Sequence, residues 1–142
     1  MGVNIKKIVL NLIKKYNTQD PFELAELLNI EYIIGSMGKC NGCYLYLKRH
    51  RCIFINDNLS DSEMSLVMAH ELGHAILHRT ENCYFIRNKT FLSTARIEKE
   101  ANAFAAELLI PDSLIYENPG MTKKQLARLA GYDERIMEFK KI

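Results

Sequence analysis

His70-Glu71-Leu72-Gly73-His74 is the most chemically loaded run in the chain. Histidines four apart share one face of a helix, so both imidazoles can meet a single ion about 2.0–2.1 Å from each nitrogen. Glu71, one step round from His70, can then reach a water on that ion without ligating the ion itself, as in a metal-dependent hydrolase. The surrounding helix is apolar, with Met64, Leu66, Val67, Met68, Leu72, Ala75, Ile76 and Leu77. Burying two imidazoles and a carboxylate there is costly unless a partner satisfies them.

A tetrahedral site with one open position needs a third protein ligand. The metzincin pattern is excluded, because Leu77 and Thr80 stand where it requires Gly and His. His78 lies two turns from His70, about 12 Å along a helix axis, so it is expected beside the site or at the helix end. Better candidates lie in the next helix, whose apolar face is Ile97, Ala101, Phe104, Ala105 and Leu108. Glu100 stands on the edge of that face beside Ala101 and is the leading third ligand, with Glu98 as the alternative. The ordinary role for Glu100 is an ion pair with Arg96 at helical spacing. Ala101, Ala103, Ala105 and Ala106 allow this helix to approach the histidine helix closely.

The elements that must position these groups are readable from periodicity and caps. Apolar residues at helical spacing (Ile5, Ile8, Val9, Leu12, Ile13) open the chain with an amphipathic helix. Asp20-Pro21-Phe22-Glu23 starts a second, running to Leu28. Strands are expected over 31–35, 43–48 and 52–56, the last two joined through Arg49-His50-Arg51 as an antiparallel hairpin. Ser60 with Glu63 caps the metal helix, which should run to about His78. An irregular segment follows over 79–93. Thr94 is the expected cap of the helix stopped by Pro111, and short helices are expected from Thr122 to Gly131 and over 134–140. The fold class is therefore α+β, a small three-stranded antiparallel sheet packed on a helical majority.

The chain has 142 residues, 48% hydrophobic and 25% charged, which suits one packed domain. That domain is expected to comprise N-terminal helices (1–30), the sheet with the metal-binding helices (31–111) and a C-terminal helical extension (112–142). Nineteen Lys and Arg against 17 Asp and Glu leave a formal charge of +2, without the basic excess of a dedicated nucleic-acid binder. No apolar run approaches the ~20 residues of a membrane span. Lysines 6, 7, 14 and 15 interrupt the N-terminus, which lacks a signal-peptide cleavage site, and Lys6 breaks the acylation pattern that Gly2 would begin. The expected compartment is the cytoplasm, where Cys40, Cys43, Cys52 and Cys83 are reduced thiols.

With the metal run and the following helix in view, a resemblance becomes specific. HELGHAILH, followed some twenty residues later by EKEANAFAAELLIP, resembles the ImmA/IrrE family of zinc metallopeptidases. The stretches DPFELAELLNI, IFIN and TKKQLARLAG are similar to the same family, so the likeness spans most of the chain. It implies a thermolysin-like (gluzincin) zinc site in which His70, His74 and Glu100 match the ligands and Glu71 the catalytic base. It also implies cleavage of a helix-turn-helix repressor that releases mobile-element, phage or stress genes. Phe104 takes the place where thermolysin has an aspartate orienting a ligand histidine.

Other features carry less. His78, Tyr44, Tyr46 and Tyr84 are candidates for a second oxyanion donor. The strand over 52–56 is expected at a sheet edge, where an extended substrate could add. Cys40-Asn41-Gly42-Cys43 reads as a tight turn flanked by thiols, since Asn-Gly is the strongest short turn signal. The tail could mimic half of a helix-turn-helix, but Glu134 and Glu138 would face phosphates, so packing against the catalytic unit is expected instead. The rival function is a non-catalytic, zinc-stabilised module that sequesters a repressor or peptide. Glu71 discriminates, because a structural site has no use for it.

Overall fold

The computed structural model describes the backbone of residues 3–86 and 95–142, and the side chains of all of these except 83–86. Helix α1 (Ile5–Tyr16) begins where the Asn4 side chain accepts from the Lys7 amide and ends on Asn17 in a left-handed conformation, φ 54°. Helix α2 (Pro21–Leu27) has Asp20 accepting from the Phe22 amide and Pro21 in its first turn. Three strands follow: β1 (Glu31–Gly35), β2 (Cys40–Leu47) and β3 (His50–Asn56). Helix α3 (Asp61–Leu77) opens with the capping box of Ser60 and Glu63. Beyond it come β4 (Cys83–Ile86), α4 (Arg96–Leu109), α5 (Asp112–Tyr116), α6 (Lys123–Ala130) and a closing 3-10 turn (Glu134–Glu138). The expected cap Thr94 lies outside the described residues; Ala95, at the start of α4, offers no side-chain cap bond.

The architecture is α+β, and all three expected strands lie in one sheet. That sheet is larger and more mixed than expected, in the order β1-β3-β2-β4. Strands β2 and β3 are antiparallel with Leu47 opposite His50, so Lys48 and Arg49 alone make the turn, both with positive φ. That is the two-residue connection whose twist suits a hairpin. Strand β1 runs parallel to β3, because α2 leads directly into it and the chain must cross to β2 before returning. The irregular segment expected over 79–93 contributes β4, antiparallel to β2. Strand β3 is therefore interior, paired on both sides, and cannot be the edge that receives a substrate.

Asn41 and Gly42 lie inside β2 rather than in a turn. A Cβ on Gly42 would stand 2.5 Å from Val67 Cγ1 and 3.0 Å from the Phe54 carbonyl oxygen. Glycine is required here by the strand's close approach to α3, and this tertiary need overrides the local turn signal.

The main core joins α1, α2, the sheet, α3 and α4 through Val9, Leu24, Ile53, Ile55, Met68, Leu72, Phe104 and Leu108. On the far side of α4, Ala106 and Ile110 pack with Leu126, Ala127, Ile136 and Met137, so the tail covers the back of the helix that faces α3. A buried ionic clasp fastens it there. The Lys140 ammonium lies 2.6 Å from Glu107 and 2.8 Å from Asp112, and Lys6 of α1 reaches Asp112 at 2.9 Å. No helix among the described residues is long and apolar enough to cross a membrane.

Candidate metal centre

Every residue of α3 from Val67 to Ala75 is buried, and His70, Glu71 and His74 are completely shielded from solvent. Three polar side chains in an apolar helix demand compensation, and α4 brings most of it. Close approach is possible because Gly73 presents no side chain. A Cβ there would stand 3.0 Å from Phe104 Cβ and 3.3 Å from Ala101 Cα. His70, Glu71 and His74 can each direct one donor atom to within 4.8 Å of the others.

The carboxylate facing the two imidazoles is Glu98. Its Oε2 lies 3.1 Å from His70 Nε2 and its Oε1 3.0 Å from His74 Nε2, and the two Nε2 atoms are 3.2 Å apart. The expectation for Glu100 is corrected by this geometry. Glu100 Oε1 lies 2.9 Å from His78 Nε2 and 2.7 Å from Arg96 Nη1. At about 100° per residue, Glu98 projects about 60° to one side of Ala101 and Glu100 about 100° to the other. Ala101 packs on Gly73, so the carboxylate nearer that line meets the histidines. Burial alone would raise the Glu98 pKa, but its hydrogen bonds and charge interactions with His70 and His74 outweigh that and bring it down to about 2.

The outer nitrogens are held as firmly. His70 Nδ1 donates to Asn102 Oδ1 at 2.8 Å, and Asn102 is itself buried. Counted from Glu98, Asn102 occupies the orienting position four residues on. The place assigned to Phe104 followed only from choosing Glu100 as the starting point. His74 Nδ1 lies 2.9 Å from His78 Nδ1. A carboxylate only accepts, so His78 Nε2 donates to Glu100, and in a neutral ring its Nδ1 then accepts from His74. Burial lowers the His74 pKa, with the neighbouring His70 adding to the effect against the pull of Glu98, which favours the neutral ring.

If each imidazole keeps a single N–H on its outer nitrogen, as a metal ligand must, the hydrogen bonds to Glu98 are given up and two Nε2 lone pairs face an ionised carboxylate with no hydrogen between them. Such an arrangement is repulsive unless a cation occupies the middle. Tetrahedral donors at 2.0–2.1 Å from an ion stand about 3.3 Å apart, so the observed 3.0–3.2 Å spacings fit a zinc-sized metal. Glu71 is different. Neither of its carboxylate oxygens has a hydrogen-bond partner among the described residues. Burial, and then the charge of Glu98, push its pKa well above the ordinary carboxylate range.

Comparison with known proteins supplies the family. The Peptidase M78 family profile, described as the IrrE N-terminal-like domain, matches residues 25–139. The chain belongs to that family. It is 41% identical over 139 residues to "Uncharacterized immunity region protein 2" of Bacillus phage phi105, covering 96% of this chain and 88% of the relative. It is also 29% identical over 142 residues to "Metallopeptidase ImmA" of Bacillus subtilis strain 168, covering 96% and 83%. The ImmA/IrrE resemblance read from the sequence therefore holds, and with it membership of a metallopeptidase family.

Within this family member the oxyanion candidates fare unequally. Tyr44 is fully buried, its hydroxyl bonded to the Arg79 carbonyl and its pKa pushed up to about 12, chiefly by burial. Tyr46 lies under the Arg79 guanidinium, 5.5 Å from the ring centre. The side chain of Tyr84 lies outside the described residues. Cys40, Cys43 and Cys52 are unbridged. Cys43 is pushed up to about 11 by burial and then by the charge of Glu71, which disfavours the reactive thiolate. Two residues escaped the sequence reading. Asn102 is one, signalled only by a lone amide four residues after Glu98 in an alanine-rich helix; Gly42, whose neighbours include Glu71 Cγ at 3.6 Å from its would-be Cβ, is the other.

Proposed function

We propose that this protein is a zinc-dependent endopeptidase that cleaves a helix-turn-helix repressor and so derepresses phage or mobile-element genes. The observation that carries the catalytic part is the convergence of His70 Nε2, His74 Nε2 and the Glu98 carboxylate within 3.0–3.2 Å of one another. These three would hold the ion, with Asn102 setting the ring of His70. A bound zinc supplies Lewis acidity towards the attacking water and the scissile carbonyl. Glu71, adjacent to the ligand His70 and without a hydrogen-bond partner among the described residues, would take the proton from that water and deliver it to the leaving amine. A site that merely joined two helices would have no use for a buried carboxylate that finds no hydrogen-bond partner among the described residues, which favours the enzyme over the sequestering module.

Among the described residues β4 is a sheet edge, and it contacts α3, so an extended substrate adding as a strand would add there rather than at β3. The names of the relatives, an immunity-region protein and a metallopeptidase, support a setting in phage immunity. Zinc-loaded protein mixed with the helix-turn-helix repressor encoded beside it should produce one discrete, chelator-sensitive cut. Glu71→Gln should keep the metal yet lose cleavage by several orders of magnitude. Cleavage that survived either chelation or Glu71→Gln would refute the proposal.

A further inference from the structure

We infer that His78 and Glu100 form a positioning relay that fixes His74 as an Nε2 ligand, an inference that rests on the metal-centre reading above. His74 has two ring nitrogens and, when neutral, one proton. Only with that proton on Nδ1 does Nε2 offer a lone pair to an ion. The neighbour of His74 Nδ1 is another imidazole, His78 Nδ1 at 2.9 Å, which could equally donate or accept. Glu100 removes the ambiguity. It binds His78 Nε2 at 2.9 Å and, accepting only, holds the His78 proton on that nitrogen. His78 Nδ1 is then an acceptor, and His74 must donate to it.

The relay is anchored at both ends. His78 closes α3, its backbone amide donating to the His74 carbonyl at 2.7 Å, and its side chain is 4% exposed. Glu100 also receives Arg96 Nη1 at 2.7 Å, and Arg96 is 73% exposed, so the chain of contacts runs from the surface to the centre. On the other side of the site a single fixed amide, Asn102, does the same for His70. The two histidines are thus oriented by different devices. The one on His74 depends on two side chains from two helices, and it gives Glu100 a task other than ligation.

The test is zinc affinity by competition with a chromophoric chelator, together with the visible spectrum of the cobalt-substituted protein. His78→Leu removes the acceptor and should weaken zinc binding by about 10–100-fold and shift the cobalt bands. His78→Asn places an amide oxygen near the former Nδ1 and should recover most of the affinity and the wild-type spectrum. Glu100→Ala frees the His78 tautomer and should weaken binding by about tenfold, and it carries the test if His78→Leu does not fold. The inference is overturned if His78→Leu and Glu100→Ala bind zinc like wild type with unchanged cobalt spectra, or if His78→Asn is as weak as His78→Leu. Wild-type protein that bound no zinc would instead overturn the metal-centre reading beneath it.

Discussion

Replacing Gly73 by alanine sets two magnitudes against each other. In a helix interior Ala is favoured over Gly by about 1 kcal/mol. Against that, the new methyl would stand 3.0 Å from Phe104 Cβ, 3.2 Å from Phe104 Cγ and 3.3 Å from Ala101 Cα. Two of these three atoms belong to or adjoin the α4 backbone and cannot rotate away, so α4 must retreat by a few tenths of an ångström. Overpacking of this kind costs about 1–3 kcal/mol. The net destabilisation of the metal-free protein is then about 0–2 kcal/mol, a Tm loss of no more than about 10 °C. Metal binding should suffer more in proportion. Glu98 and Asn102 ride on the displaced helix, and donor distances tolerate only about 0.2 Å, so zinc affinity should fall about tenfold or more. Thermal unfolding in chelator and a zinc competition titration measure the two effects separately. Gly35→Ala is the matched control, since its methyl would meet nothing within 4 Å. A Gly73→Ala protein with raised Tm and unchanged zinc affinity would refute the reasoning, because helix propensity alone would then account for it.

Asn102→Leu removes the acceptor from His70 Nδ1 and should weaken zinc binding by about 10–100-fold while leaving the fold intact by circular dichroism; unchanged affinity would show that the 2.8 Å contact does not orient the ring. The ionic clasp should show itself in acid. The hydrogen bond from Lys140 is the main cause holding Asp112 below its ordinary value of 3.8, with Lys6 adding to it against a smaller effect of burial. A depressed folded-state pKa contributes stability that is present above the unfolded value and lost as pH falls through the folded one. The Tm gap between wild type and Asp112→Asn should therefore be full at neutral pH and close as pH drops from about 5 to about 2; a gap independent of pH would refute the clasp's ionic contribution.

Much of the scaffold was legible because its signals are local. The capping of α3 by Ser60 with Glu63 forms as read, a helix does begin after Thr122, and Pro21 stands in the first turn of its helix. The buried α3 was equally plain, since its apolar residues occupy nearly every side. What escaped depends on contacts distant in sequence. Asn41-Gly42 carries a turn signal, yet Val67, 25 residues on, makes glycine necessary inside a strand. β4 spans four residues, too few for periodicity to show, and exists because β2 offers it an edge. The choice between Glu98 and Glu100 turned on which side of Ala101 faces α3. Both flank the apolar stripe at plausible angles, and only the crossing of the two helices, set by Gly73 against Phe104, decides between them.

The central claim is that Glu98 completes a metal site with His70 and His74, and metal stoichiometry of purified variants tests it most directly. At zinc concentrations well above the wild-type Kd, wild type and Glu100→Ala should each carry one zinc per chain by elemental analysis, whereas Glu98→Ala should carry almost none. Zinc retained at full stoichiometry in Glu98→Ala and lost in Glu100→Ala would contradict the account.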